Sequence, residues 1–357
     1  MIFREADILI SGGGVAGLTA ACAFGAAGFS VICVDPAPPV INEAASNADL
    51  RTTAFLQPAR RLFQAAGLWD RLAPYAAALQ IMRIVDAGGK SYEARDIADF
   101  NASDISDTPF GWNLPNWLLR REMLARIAEL PNVAFLPATA TAHLTTRTTE
   151  ARIALTDGTS VRARLLIAAD GRGSNIREQC NIGVKTWRYG QKALAFSVNH
   201  PIPHQNISTE IHRTGGPFTL VPMPDLNGQP RSAIVWMERG GRIEELQNLS
   251  VAAFEAEIYE RSAHLFGPLT LIGRRTVWPI ISQLAERLNG QRVALIAEAA
   301  HVVPPIGAQG LNMSLADMTT LLDLALADPG DLGSATMLEK YHHSRWPEIK
   351  ARVTGIG

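Results

Sequence analysis

An α/β fold, in which a parallel-sheet domain is interrupted by a separate antiparallel sheet, is what this 357-residue sequence predicts. Three observations carry the prediction. Residues 7–35 read as strand, glycine turn, helix and strand. Two later apolar runs, 161–170 and 292–298, each end on an acid followed by a loop rich in glycine or proline. Residues 190–280, lying between them, form short alternating or β-rich runs separated by proline and glycine.

The first element, Asp7–Ser11, is a continuous apolar run closed by glycine, as expected of a buried parallel strand. Gly12-Gly-Gly-Val15-Ala16-Gly17 follows and matches G-x-G-x-x-G at Gly12, Gly14 and Gly17. A small-residue helix, Leu18–Ala27, ends at Gly28, and Ser30–Asp35 is a second strand. The order has a chemical reason. Gly12 permits a tight turn, Gly14 lets backbone approach a pyrophosphate, and Gly17 lets helix and strand pack closely. The helix N-terminus then offers free N–H groups and partial positive charge. Asp35 stands where an acid binds ribose hydroxyls and disfavours a 2′-phosphate, so the ligand is NAD or FAD. The motif alone does not separate them.

Composition narrows the function classes. Lys+Arg total 33 against 34 Asp+Glu, a net charge of −1, which argues against nucleic acid and against a strongly basic membrane patch. Cys22, Cys33 and Cys180 are too few and too scattered for a disulfide framework or a metal site, so no metal is expected and a reducing, cytoplasmic setting is the simplest home. Ile8–Val34 carries no charge and would pass a hydropathy window. Its six glycines, and the Arg4, Glu5 and Asp7 before it, argue against a membrane helix or signal peptide.

Further along, Ile153–Val161 reads as a hairpin around Asp157-Gly158, and Val161–Asp170 as a buried strand running into Gly171. Arg292–Ala297 is another strand, closed by Glu298. A loop containing Pro304, Pro305, Gly307 and Gly310 then feeds a helix from about Leu311 to Leu326. Such a helix start presents N–H groups and a positive dipole end. That suits the pyrimidine edge of a reduced, anionic isoalloxazine, with Gly310, Leu311 and Asn312 as the contacts.

The glycine fingerprint, Ala169-Asp170-Gly171, and the run Ala299-Ala-His301-x-x-x-Pro305-x-x-x-Gln309-Gly-Leu-Asn312 occur in order over nearly the whole chain. In these the sequence resembles the aromatic-ring flavoprotein monooxygenases, the p-hydroxybenzoate hydroxylase family, and among them the ubiquinone-biosynthesis hydroxylases. The resemblance implies a Rossmann-like FAD-binding domain with an inserted antiparallel β-sheet substrate domain. It implies that Gly12, Gly14, Gly17 and Asp35 hold the ADP half of FAD and that Arg51 lies beside the flavin. Arg121, or its neighbour Arg120, would contact the phosphates, Asp170 and Gly171 would close on the cofactor, and Glu298 would sit at the ribityl chain. The implied reaction is hydroxylation of a phenolic ring by O₂ through a flavin hydroperoxide, with FAD reduced by NAD(P)H or another reductant. The substrate would be a small aromatic or a polyprenyl phenol. A homodimer, a biosynthetic complex and peripheral contact with the inner membrane are compatible with the family.

The implied layout gives residues 1–80, 110–180 and 285–340 to the FAD domain and 81–109 and 181–284 to the substrate domain. Residues 341–357 would be the end of a terminal helix, shortened relative to the family. The expected strands of the inserted sheet are Lys192–His200, Ile207–Arg213, Phe218–Val221, Ser232–Glu238 and Thr270–Ile281, with a helix over Ser250–Arg261. Phe218, Met223, Trp236 and Pro304 are the candidate pocket residues, and residues 86–117 read as an irregular loop over the site. Two departures stand out: Ala297-Glu298 where the family has Gly-Asp, and Ser314 where glycine is usual. They keep two rivals in view, a catalytically impaired flavin-binding accessory subunit and a flavin dehydrogenase or reductase on the same scaffold.

Overall fold

The structure, a computed structural model, describes residues 2–89 and 91–355. The chain opens with β1 (Phe3–Ser11), α1 (Val15–Ala26) and β2 (Val31–Asp35). Next come β3 (Thr52–Leu56), α2 (Gln57–Ala65), α3 (Trp69–Leu72) and β4 (Ala77–Leu79). A hairpin of β5 (Ile81–Asp86) and β6 (Asp96–Asn101) precedes β7 (Gly111–Pro115), α4 (Asn116–Ala128) and β8 (Val133–Pro137). β9 (Thr141–Thr146), β10 (Ala151–Leu155), β11 (Ser160–Ala168) and α5 (Asn175–Gln179) follow. The inserted region holds β12 (Val184–Asn199), β13 (Ile207–His212), β14 (Phe218–Leu226) and β15 (Gln229–Arg239). It continues with α6 (Gly240–Asn248), α7 (Val251–Arg261) and β16 (Thr270–Ala285). The chain then returns through β17 (Asn289–Gly290), β18 (Val293–Leu295), β19 (His301–Val302), α8 (Gln309–Ala327) and α9 (Ala335–Gly355).

One eight-stranded sheet has the order β17-β18-β11-β1-β2-β8, with β9 and β10 added at β11. Its centre, β18 to β8, is parallel, while β17, β9 and β10 pair antiparallel. The sequence explains the burial: Ile8, Leu9, Ile10, Leu165, Leu166 and Ile167, from two continuous apolar runs, are all fully buried. Each such side chain contributes about 1.5–3 kcal/mol of transfer free energy. α1 lies against α4 through Thr19, Cys22 and Met123, a contact its small residues permit. The first strand and helix begin earlier than the sequence suggested, at Phe3 and Val15.

The second eight-stranded sheet runs β19-β16-β12-β15-β14-β13-β5-β6 and is antiparallel except for the β13–β5 pair, which is parallel. Its two faces differ. Leu194, Phe196, Leu220, Ile234 and their cross-strand partners Phe218 and Trp236 pack against Ile243, Leu246, Phe254 and Ile258 of α6 and α7. The period of two puts Ala193, Ala195, Ser197, Val221, Met223, Ala233, Val235 and Trp278 on the opposite face, toward the first domain. Phe218 and Trp236 are therefore core residues on the helix side and not cleft residues. Met223 does face the cleft.

Residues 86–117 are more ordered than an irregular loop. β6 is a paired edge strand, and β7 is wholly buried in a three-stranded sheet with β3 and β4. Lys90, inside this stretch, and residues 356–357 of the terminal helix lie outside the described residues. β7 places Trp112 in an aromatic cluster, stacked on Phe55 at 6.1 Å and edge-on to Trp69 at 4.9 Å. Phe55 also meets Phe63 at 4.9 Å and is fully buried. Phe55→Ala is accordingly expected to lower unfolding free energy by about 3–5 kcal/mol, measured by denaturant titration. Burial disfavours the thiolate at each cysteine, pushing Cys22 up to about 12 and Cys180 up to about 11, with Cys33 higher still.

Candidate functional site

The carboxyl ends of β1 and β2 meet the N-terminus of α1, and each fingerprint glycine has a distinct geometry there. Gly12 has φ +112°, and a Cβ on it would lie 2.3 Å from the Ala169 carbonyl oxygen. A Cβ on Gly17 would lie 1.8 Å from the Gly12 oxygen. Gly14 differs from both, because nothing stands within 4 Å of where its Cβ would be. It is the N-cap of α1, no side chain caps the helix, and no acid occupies the first turn. Asp35 bounds the loop, its Oδ2 accepting from Gly13 N at 2.5 Å and its Oδ1 from Ala37 N at 2.8 Å. An open, side-chain-free approach to an uncapped helix N-terminus, with an acid at the next strand end, fits the pyrophosphate and ribose of FAD.

The other sequence-chosen residues are engaged in unequal ways. Arg51 is held by Asp49 through Nε and Nη2, both at 2.7 Å, and lies 4.3 Å over the Trp278 ring of the second sheet. Arg120 joins the same carboxylate at 3.4 Å, and Asn116 Nδ2 at 3.1 Å. Burial would raise the Asp49 carboxyl, but hydrogen bonds from Arg51 and Asn116 and the charges of Arg51 and Arg120 hold it below the usual range. Its stabilising contribution is thus present at neutral pH and is lost as pH falls from about 4 through its lower folded value. Arg121 is not in this group. It pairs with Glu122 and lies 5.2 Å from the Tyr75 ring centre and 5.4 Å from that of Trp117.

Asp170 spends its carboxylate locally, accepting from Ser174 Oγ at 2.6 Å and Ile176 N at 3.1 Å to start α5. Gly171, at φ +84°, has open space before it. Glu298 is exposed on a single 3₁₀ turn, 3.5 Å from Arg172, whose guanidinium also faces Trp278 at 6.0 Å. Asn312 is a brace: Oδ1 accepts from Leu56 N at 2.8 Å, while Nδ2 donates to Ala54 O at 3.0 Å and Ala308 O at 2.7 Å. That ties β3 to the start of α8, whose first turn carries no side-chain cap and has open space at Gly310. Pro304 is buried in the loop leading there.

Both departures from the family pattern are accommodated. Ser314 Oγ donates to Gly310 O at 3.0 Å within the helix. Ala297 sits at φ +53°, a left-handed conformation that glycine adopts freely. Ala297→Gly is expected to relieve about 1 kcal/mol of backbone strain, visible as unchanged or raised Tm despite glycine's greater unfolded-state entropy. His301 has a partner that the sequence did not reveal. Its Nε2 lies 2.6 Å from Asp317 Oδ2 in a fully buried contact, and Arg345 Nε donates to Asp317 Oδ1 at 3.0 Å. Asp49, Arg172 and Asp317 were missed by sequence reasoning. Asp317 alone left a signal, an acid on the apolar face of a helix.

Among the described residues, no group of three His, Cys, Asp or Glu side chains could hold a metal, and no helix is long and apolar enough to cross a membrane. Comparison with known proteins agrees with the geometry. Residues 5–355 match the family described as FAD binding domain. A ubiquinone hydroxylase, UbiL, of Rhodospirillum rubrum is 35% identical over 348 residues, covering 97% of this chain and 79% of the relative. The 3-demethoxyubiquinol 3-hydroxylase of Escherichia coli is 26% identical over 360 residues, covering 100% and 89%. The crystal structure of PqsL of Pseudomonas aeruginosa in complex with 2-aminobenzoylacetate shares the fold, with TM-score 0.82 at 24% identity over 99% of this chain and 95% of that one. The chain belongs to the FAD binding domain family and is an FAD-dependent monooxygenase.

Proposed function

We propose that the protein hydroxylates the ring of a phenolic precursor or intermediate of ubiquinone, using O₂ and electrons from NAD(P)H or another reductant. The observation that carries this is the cleft itself. Trp278 of the second sheet meets Arg51 of the first domain, and beyond it the cleft face is paved with Ala193, Ala195, Ser197 and Ala233. Small side chains on that face suit a flat ring laid against the sheet. The names of the relatives, ubiquinone hydroxylase and 3-demethoxyubiquinol 3-hydroxylase, support the substrate class.

On this reading residues 1–80, 110–180 and 285–340 hold FAD, while 81–109 and 181–284 hold the substrate. Gly12, Gly14, Val15, Ala16 and Gly17 would cradle the pyrophosphate by backbone, and Asp35 the ribose. Arg120, beside Asp49 and Arg51, is better placed than Arg121 to add positive charge. When bound, FAD supplies the activation of O₂ and the transfer of one oxygen atom to the ring. The uncapped start of α8, at Gly310, Leu311 and Asn312, would stabilise negative charge on the cofactor through its N–H groups, with Glu298 near the ribityl chain and Gly171 closing on it. Pro304, Met223 and the second sheet would keep water from the ring. The isolated, FAD-loaded protein is expected to consume O₂ and reductant in a phenol-dependent way. FAD binding with no turnover on any ubiquinone precursor would instead favour an accessory subunit.

A further inference from the structure

Residues 46–51 form a strap of the first domain that is fastened along β16 of the second sheet. Arg274 donates to the Ser46 and Ala48 carbonyls, and Gly273 lies so close that a Cβ on it would stand 2.8 Å from Leu50 Cδ1. At the end of the strap the Arg51 guanidinium lies 4.3 Å from the centre of the Trp278 ring. Trp278 also meets a second cation, Arg172, at 6.0 Å. The indole stands beside Ala193 on the cleft face of the second sheet, whereas both arginines come from the first domain, Arg51 just before β3 and Arg172 just after Gly171. Both arginines are held in place. Asp49 takes two hydrogen bonds from Arg51 and is itself anchored by Asn116. Arg172 faces Glu298, and the buried Arg177 donates to the Arg172 and Ala299 carbonyls at 2.9 Å each, which fixes the two turns in one frame.

Trp278 is only half-buried, and its Nε1 makes no hydrogen bond among the described residues, so the ring face is what joins it to the first domain. We propose that Trp278 is a positioning residue for the hydroxylation: resting on Arg51 and Arg172, it holds the inserted sheet closed over the segments assigned to FAD. A guanidinium against an indole face that excludes water favours the closed arrangement by about 3- to 30-fold. Closure keeps water from the reacting ring and the ring at its working distance. When the cleft opens, each O₂ takes two electrons from the reductant and two protons and leaves as H₂O₂. In the closed cleft one oxygen atom enters the ring and the other leaves as water. The proposal rests on the cleft being the hydroxylation site, and it adds what shuts it.

The test compares the FAD-loaded parent with Trp278→Leu, Trp278→Gln and Trp278→Phe. Iodide quenching of the bound flavin's fluorescence reads how open the cleft is and needs no substrate. The leucine and glutamine proteins should show a quenching constant raised about 3- to 10-fold, and the phenylalanine protein, which keeps an aromatic face, should stay within about twofold of the parent. With a phenolic ubiquinone precursor, H₂O₂ formed per reductant consumed should rise about threefold or more in the two non-aromatic variants and stay parental in the phenylalanine one. Either non-aromatic variant suffices if the other does not fold. Equal quenching in all the proteins, or a phenylalanine variant as open as the non-aromatic ones, would overturn the proposal. A parent that holds FAD and forms no hydroxylated product would overturn the reading of the site. A hydroxylating parent whose non-aromatic variants remain closed and equally coupled would overturn this inference alone.

Discussion

Gly14→Ala is expected to leave the apoprotein folded while weakening FAD binding about 30- to 100-fold. The backbone at Gly14 is extended, φ −69° and ψ 178°, which alanine adopts without strain, and the added methyl meets no protein atom within 4 Å. Loss of the glycine N-cap costs at most about 1 kcal/mol. The same methyl stands where the pyrophosphate must approach, and losing about 2–2.7 kcal/mol of charge-assisted hydrogen bonding gives the stated loss. Gly17→Ala should behave in the opposite way. Its Cβ would lie 1.8 Å from the Gly12 oxygen, so α1 must move off β1, and about 1–3 kcal/mol of stability goes before any ligand is considered. Thermal unfolding of both apoproteins, with flavin-fluorescence titrations, separates the cases. A Gly14→Ala protein binding FAD as tightly as the parent would remove α1 from the cofactor site.

Removing the Asp317 carboxylate is the second large effect. The group is fully buried between His301 and Arg345, with Ala297 N 3.4 Å from Oδ2. Burial would lower the Arg345 pKa, but the Asp317 charge and hydrogen bond, together with Glu348, hold it above its ordinary value. Asp317→Ala strands a buried cation and is expected to cost about 3–5 kcal/mol in urea unfolding. Asp317→Asn keeps the shape and one acceptor and should cost less. Because β19 joins the second sheet at β16 and the 297–299 turn carries Glu298, the alanine protein should also loosen the turn that meets Arg172. A loss below 1 kcal/mol would show that the triad does not hold α8, α9 and this turn together.

Much of this was legible in the sequence because it depends on short-range pattern. A fingerprint of glycines, buried strands ending in acids, and β-rich runs between them specify the architecture through local geometry. The misreadings came from longer-range choices. Phe218 and Trp236 are aromatic and lie on the expected sheet, but which face of a sheet meets helices and which meets a cleft is decided by α6 and α7, not by residue type. Trp112 looked like loop because Asp, Ser and Asn surround it, yet β7 is fixed by pairing with β3 and β4, distant in sequence. Asn312 offered an amide suited to a ligand, and the fold uses it to brace β3. Partners such as Asp49 for Arg120, 71 positions away, leave no local mark.

The central claim is oxygen insertion by bound FAD into an aromatic ring in the cleft. The direct measurement is mass spectrometry of the product formed by the FAD-loaded protein under ¹⁸O₂ in ordinary water, with a phenolic ubiquinone precursor and a reductant. One ¹⁸O atom per hydroxylated product is the expected result. Product carrying only ¹⁶O, or flavin turnover with no oxygenated product, would contradict the account and point to a dehydrogenase or reductase on this scaffold.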